Sequence, residues 1–463
     1  MHFRTPGLWL LIALATAAGT AEAAAADWKA GAAKVKITPR HLMWMSGYAS
    51  RDHTAEGTLH DLWAKALVFE DPAGKRAALV TLDLVGIDRG LAIDVCAALG
   101  EKYHLERPQI ALCTSHTHTG PVVKTNLASM YFLQADQERL VADYAAELKS
   151  NIVASVGQAI VNLAPAQLAW GKGKAGFAVN RRNNKEADVP RLVQEGGLQG
   201  PVDHEVAVLT ATRPDGTLAA IVFSYACHAT VLGFYQWSGD YPGFAQIELE
   251  QAHPGAAAMF VAGCGGDQNP LPRKTVEFAR NYGHQLAAAV EETIARPLQP
   301  ITGKLACGYQ ELPLAFDKLP TPAELEAESR SSNKYAAQRA KLLLAQIAGG
   351  QPLSQTYPYP IQFWRIGADL QFIALGGEVV VDYALRLKRE LPGGGTWVAA
   401  YSNDVMAYIP SRRVLKEGGY EGGGAMVYYG LPAVWSEQVE DTVVRGVHDL
   451  IRKTPIADAG SPP

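Results

Sequence analysis

Short apolar runs alternate along this chain with stretches of helical spacing, and that alternation limits the fold more than any other feature. "QIALCTS" precedes "DQERLVADYAAELKSNIVASVGQAI"; "IVFSYAC" precedes "FAQIELEQAH"; "AAAMFVAG" precedes "TVEFARNYGHQLAAAVEETIA"; "LQFIALGGE" precedes "VVVDYALRLKREL". A run of five to eight apolar residues with no polar alternation needs cover on both faces, which helices supply. Two hairpins interrupt the series. "AKALVFED" and "RAALVTLDLVGI" flank the turn "DPAGK", and "EVAVLTATRPDGTLAAIVFSYACHAT" turns at Pro214-Asp215-Gly216. Parallel crossovers combined with hairpins predict an α/β fold: a mixed β-sheet core with flanking helices in one large domain. Residues from about Thr321 to Gln351 are polar and helix-forming, which predicts a surface excursion outside the sheet.

The domain limits come from the two ends. His2 and Arg4 precede "LWLLIALATAAG", and "AEA" at Ala21–Ala23 has the form of a cleavage signal. Residues 1–23 therefore read as a signal peptide, 24–455 as one large folded domain and 456–463 as a disordered tail. The expected location is periplasmic or secreted. No later run of apolar residues is long enough to span a bilayer, which leaves peripheral contact with a lipid surface open. The formal net charge is -4, which excludes a nucleic-acid partner recognised through a basic face. Cys96, Cys113, Cys227, Cys264 and Cys307 are odd in number and lack CxxC spacing. Burial is the expected fate of most of them, with at most a single disulfide whose pair the sequence does not choose. The oligomeric state is not legible.

The chemistry gathers where strands end. "QIALCTS" leads to His116 and His118, "IVFSYAC" to His228 with Asp240 further on, "AAMFVAGCGG" to Asp267, "LQFIALGG" to Glu378, and "WVAAYSND" to Tyr408. Taken alone, each has a structural explanation. His228 reads as a core histidine bonded to backbone, Glu378 as a first-turn helix acid, and Asp267 as a turn cap. Ligand sites of α/β sheets lie beyond the carboxyl ends of strands, so these loops are expected to converge on one metal site. Two neutral imidazoles and a carboxylate are a normal ligand set for catalytic zinc, with a position left for water.

With these motifs in view, the chain resembles the catalytic domain of neutral ceramidases, zinc-dependent amidases that release a fatty acid from ceramide. The resemblance runs from about Gly31 to Gly430. It is carried by "AAKVKITP", "GTLHDLWAKALVFED", "SHTHTGP", "VNRR", "ACHAT" with "SGDYPG", "GGDQNP", "GGE" and "YIPSRRVLKEGGYEGG". It implies zinc held by His116, His228, Glu378 and Tyr408. It also implies that His118 and Arg181 contact the scissile amide or adjacent polar groups, and that Tyr420 donates to the oxyanion. Tyr408 and Arg181 would otherwise read as a packed aromatic and a surface cation. Asp267 and Asn269 complete the predicted catalytic set.

Two departures stand out. Ceramidases carry a serine in G-D-x-S-P where this chain has Gly266-Asp267-Gln268-Asn269-Pro270, and they carry an Ig-like C-terminal domain that is not expected here. With no serine at 269 and no nucleophile elbow nearby, the expected mechanism is direct attack by zinc-bound hydroxide on the amide carbonyl, with no covalent intermediate. The expected substrate is a small-molecule or lipid amide, N-acylsphingosine or a related N-acyl lipid. The alternatives are a zinc amidase or esterase acting on a small soluble amide, lactam or ester, and a non-catalytic ligand-binding protein. A two-metal phosphoesterase has too few carboxylates in these loops.

Overall fold

The computed structural model describes Met1, His2 and Trp28–Pro455. The tail at 456–463, and the signal segment apart from Met1 and His2, lie outside the described residues. Nine strands form the larger sheet, in the order Ala257–Ala262, Leu218–Tyr225, Glu205–Thr212, Ala164–Lys174, Trp28–Lys36, Trp63–Glu70, Arg76–Leu82, Ile110–Thr114, with Gln299–Ile301 also paired to Ala164–Lys174. The expected hairpins are present, with Ala66 opposite Val80 and Leu209 opposite Val222. Parallel pairing occurs at both edges, between Arg76–Leu82 and Ile110–Thr114, and between Leu218–Tyr225 and Ala257–Ala262. The sheet is therefore mixed, as the alternation predicts.

A second sheet of four strands, in the order Leu305–Ala315, Thr356–Ile366, Leu370–Leu375, Thr396–Ala399, packs against the first. Successive side chains of a strand face opposite ways, and the cores follow that period. Leu67, Phe69, Leu79, Val222 and Met259 point inward and meet Trp364, Phe372 and Trp397 of the second sheet. Val68, Val80 and Leu112 point outward, against Leu148, Ile152 and Val156 of the helix Ala135–Val161. Ile221, Phe223 and Phe260 likewise meet Tyr241, Leu249 and Leu286, from the helices Asp240–Ala252 and Val276–Ile294. The outer face of the second sheet, Leu312, Ile361 and Ile373, is covered by Val443 and Val447 of the helix Val439–Lys453. The result is four layers: helices, sheet, sheet, helices.

The two sheets meet again at the ends of their strands. The segment after Thr396–Ala399 bridges to both edge strands, Cys113 with Ser402 and Gly263 with Ala399. That junction brings the carboxyl ends of Ile110–Thr114, Leu218–Tyr225, Ala257–Ala262 and Leu370–Leu375 to one place. Residues 321–351 form two helices, Pro322–Glu328 and Lys334–Ala348, around a small core of Leu325, Ala340 and Leu343. As expected, they stand outside both sheets. All five cysteines are free. Among the described residues no helix is long and apolar enough to cross a membrane.

Candidate metal and catalytic centre

His116 lies two residues beyond the strand Ile110–Thr114 and sits in the left-handed region, with φ 60°. A β-carbon makes that conformation costly for an ordinary residue, and such outliers persist where surrounding contacts hold them. Here the holding contact is at the imidazole: Nδ1 lies 2.6 Å from the Val85 carbonyl. His228, beyond Leu218–Tyr225, is fixed the same way, with Nδ1 2.6 Å from the Gly265 carbonyl. Those two bonds place a proton on each Nδ1 and leave each Nε2 with a free lone pair, the arrangement that orients metal-ligating histidines.

The two lone pairs converge on Glu378. Its Oε2 lies 3.1 Å from His116 Nε2 and 3.0 Å from His228 Nε2. The Tyr408 hydroxyl is 3.2 Å from His228 Nε2, and His118 Nε2 is 3.1 Å from His116 Nε2. Glu378 does not open a helix as the sequence suggests. It forms a two-residue strand with Val379, paired in parallel with Tyr408–Ile409, so that Glu378 is directly opposite Tyr408. Tyr429 donates to the other carboxylate oxygen. Burial pushes His118 well down and His228 down to about 4, so both imidazoles stay neutral and keep a lone pair.

The donor set fits a small divalent cation. Ligands of a tetrahedral ion with bonds near 2.1 Å lie about 3.4 Å apart, close to the spacings above. The ring nitrogens of His116, His118 and His228 all lie within 4.8 Å of one another. With no cation, these lone pairs and a buried carboxylate oxygen would face one another unscreened. His118 differs from the other two in one respect: its buried Nδ1 has no hydrogen-bond partner. It is held instead by shape. The Tyr48 ring meets it edge-on at 4.7 Å, and Gly47, with φ 99°, lies so close that a β-carbon there would come within 2.5 Å of the His118 ring.

Arg181 forms the adjoining wall. It donates to the Tyr408 hydroxyl at 3.0 Å, to Asn269 Oδ1 at 3.2 Å and to Glu421 at 2.7 Å. Tyr420 packs against Tyr408 with ring centroids 5.3 Å apart, is 45% exposed, and lines the cavity beside Arg181 and Asn269. Asn269 also accepts from Thr230, at 3.4 Å. Asp267 is brought near but faces away from the cluster. Its carboxylate accepts from the Val381 amide and from Asn180 Nδ2, both at 2.9 Å, while its carbonyl accepts from the Arg181 amide. It joins the loop bearing Arg181 to the helix that follows Glu378, which is a positioning task. Asp240 also stays outside the cluster and caps the loop after His228 by accepting from the Leu232 and Tyr241 amides. Tyr429, Tyr48, Glu421 and Arg51, which donates to the His118 carbonyl at 2.7 Å, carry no sequence signal beyond being polar.

Comparison with known proteins gives the family and the fold. Residues 28–270, more than half of the chain, match the family described as neutral/alkaline non-lysosomal ceramidase, N-terminal. A neutral ceramidase of Pseudomonas aeruginosa is 23% identical, over 82% of this chain and 66% of that protein. One from Drosophila pseudoobscura pseudoobscura is 32% identical over 24% of this chain and 16% of the relative. The chain thus spans under two thirds of the length of these curated relatives. The crystal structure of the Pseudomonas aeruginosa neutral ceramidase superposes with a TM-score of 0.70 at 19% identity, over 94% of this chain and 76% of that one. A ceramidase complexed with C2 gives 0.70 at 20% identity, over 94% and 77%. At that identity the likeness is one of fold.

Proposed function

Because this chain belongs to the neutral/alkaline non-lysosomal ceramidase family, we propose that it hydrolyses an N-acyl amide, ceramide or a related N-acyl lipid, with one zinc ion held by His116, His228, Glu378 and Tyr408. The observation that carries this is the pair of imidazoles pinned through Nδ1 to backbone carbonyls, with both Nε2 atoms on one buried carboxylate oxygen. A non-catalytic binding protein would have no use for that arrangement. When bound, zinc supplies a Lewis acid beside the amide carbonyl and a water acidified toward neutrality.

The chain's own residues do the rest. Arg181 and Tyr420 face the carbonyl oxygen and donate to it as negative charge develops there. His118, neutral because burial depresses its pKa, takes a proton from the attacking water and passes it to the departing nitrogen. Asn269, held by Arg181 and Thr230, orients the amide and offers no nucleophilic oxygen. The water oxygen joins the acyl carbon, the C–N bond breaks, and the nitrogen leaves as an amine beside a free carboxylate. No acyl-enzyme forms. Export belongs to the same proposal and rests on the apolar stretch before Ala21–Ala23.

Metal analysis of the purified protein, combined with hydrolysis assays on an N-acyl panel, tests this. Stoichiometric zinc and chelator-sensitive amidase activity are expected. Full activity in a metal-free preparation, or loading by zinc with no amide cleaved, overturns it.

A further inference from the structure

The two carboxylate oxygens of Glu378 have different surroundings. Oε2 lies 3.1 Å from His116 Nε2 and 3.0 Å from His228 Nε2, where the lone pairs converge. Oε1 accepts from the Tyr429 hydroxyl. Both imidazoles carry their protons on Nδ1, so among the described residues the Tyr429 O–H is the sole donor to this carboxylate. The main chain at Glu378 is fixed: its amide donates to the Ala407 carbonyl at 2.8 Å, and the residue stands opposite Tyr408. Those bonds do not fix the carboxylate itself. Its terminal torsion is broad and two-fold, so without a donor the group turns and presents either oxygen, or both.

Tyr429 is well anchored for holding it. The residue ends the short helix Met426–Tyr429, and the carbonyl of Tyr428 before it accepts from the Ser129 amide at 3.2 Å. Its ring packs at the seam of two hydrophobic clusters, one containing Val379 and the other Val85. The same stretch of chain carries Glu421, which pairs with Arg181, and Tyr420, which packs on Tyr408.

We propose that Tyr429 is a positioning residue of the metal centre: its hydroxyl holds Glu378 so that Oε2 alone meets the cation, and the place that Oε1 would take stays open for water. This rests on the zinc assignment above and adds a residue to it. Catalytic zinc sites differ from structural ones in keeping such a position open. Hydrogen bonds from outside the ligand set orient ligating carboxylates in just this way. A tyrosine that merely satisfied a buried carboxylate would lower stability when changed, but would leave the coordination of the ion as it was.

Tyr429→Phe separates the two roles, since it removes the hydroxyl and keeps the ring; circular dichroism confirms the fold. Cobalt(II) put in place of zinc reports coordination number, because its visible absorption bands weaken as ligands are added. The cobalt-loaded variant should show weaker bands than cobalt-loaded wild type, as Oε1 enters the sphere. A folded variant that no longer retains cobalt supports the same role, Glu378 being then too loosely held to bind. On a ceramide substrate the zinc-loaded variant should lose about 10–100-fold in kcat, with KM little changed. Bands identical to wild type overturn the proposal however far turnover falls, and so does undiminished turnover. If wild type cleaves no amide, the hydrolase reading fails and the cobalt spectra still decide the role of Tyr429. Wild type that binds neither zinc nor cobalt takes the metal assignment and this proposal down together.

Discussion

Among the three clustered imidazoles, His118 alone leaves its Nδ1 without a hydrogen bond, whereas His116 and His228 are each tied to a backbone carbonyl. Ligating histidines are normally fixed through the other ring nitrogen, so His118 is the member suited to proton transfer. His118→Ala should keep stoichiometric zinc and lower turnover by about 10²–10⁴-fold, while His116→Ala and His228→Ala lose the metal; elemental analysis of each purified variant decides. Loss of zinc in His118→Ala would make it a fifth ligand and remove it from the proton path. Asn269 carries a second test at this scale. Its Oδ1 is occupied by Arg181 and Thr230, and an amide is a poor nucleophile. Single-turnover mass spectrometry on a slow substrate should find no adduct, and no burst equal to the enzyme concentration should appear. A trapped acyl group on any side chain would sink direct hydrolysis.

At the scale of elements, the pair of helices Pro322–Glu328 and Lys334–Ala348 is separable. It interrupts a hairpin whose strands still register at its base, Ala315 opposite Thr356, and it has its own small core. Its contacts with the rest are local: Tyr335 donates to the Ala49 carbonyl and meets the Tyr428 ring at 5.0 Å, and Tyr428 in turn lies 6.2 Å from Tyr420. Replacing residues 320–352 by a short Gly/Ser loop should leave a folded, zinc-loaded protein with altered preference among amides, because Tyr420 loses that support. Global unfolding by circular dichroism would contradict this. The same segment shows what sequence could convey. Its helices were legible from composition, as were the hairpins and the strands leading to His116, His228 and Asp267, because those patterns are local. The flanking strands Leu305–Ala315 and Thr356–Ile366 escaped notice, since Pro313 and Pro358, which face each other across the ladder, break the usual strand pattern. The pairing of Glu378 with Tyr408 was hidden for another reason: it joins two-residue strands thirty positions apart, and nothing nearby marks it. Asp267, which taken alone reads as a turn cap, joins distant backbone segments: its carboxylate accepts from the Val381 amide and from Asn180.

For the molecule as a whole, the ligand set is distributed across both sheets. His116 and His228 follow strands of the nine-stranded sheet, whereas Glu378 follows a strand of the four-stranded sheet and is paired with Tyr408. A single cation there would link the two sheets at the end where they meet, so its removal should affect global stability as well as activity. An ion that binds the folded chain and not the unfolded one stabilises by RT ln(1 + [M]/Kd), about 4 kcal/mol at a free concentration of 1,000 times Kd. In a chain of this size that corresponds to a melting temperature higher by several degrees. Loss of the metal also leaves the buried Glu378 carboxylate facing lone pairs, which costs further stability unless a proton enters the cluster. Calorimetry should therefore show a lower Tm after chelation, recovered on adding zinc. His116→Ala should melt near the chelated wild type and respond to neither treatment. A Tm unchanged by chelation in protein shown by elemental analysis to have lost its zinc would mean that the site is assembled by the surrounding packing alone, and that the cation serves the chemistry without joining the sheets.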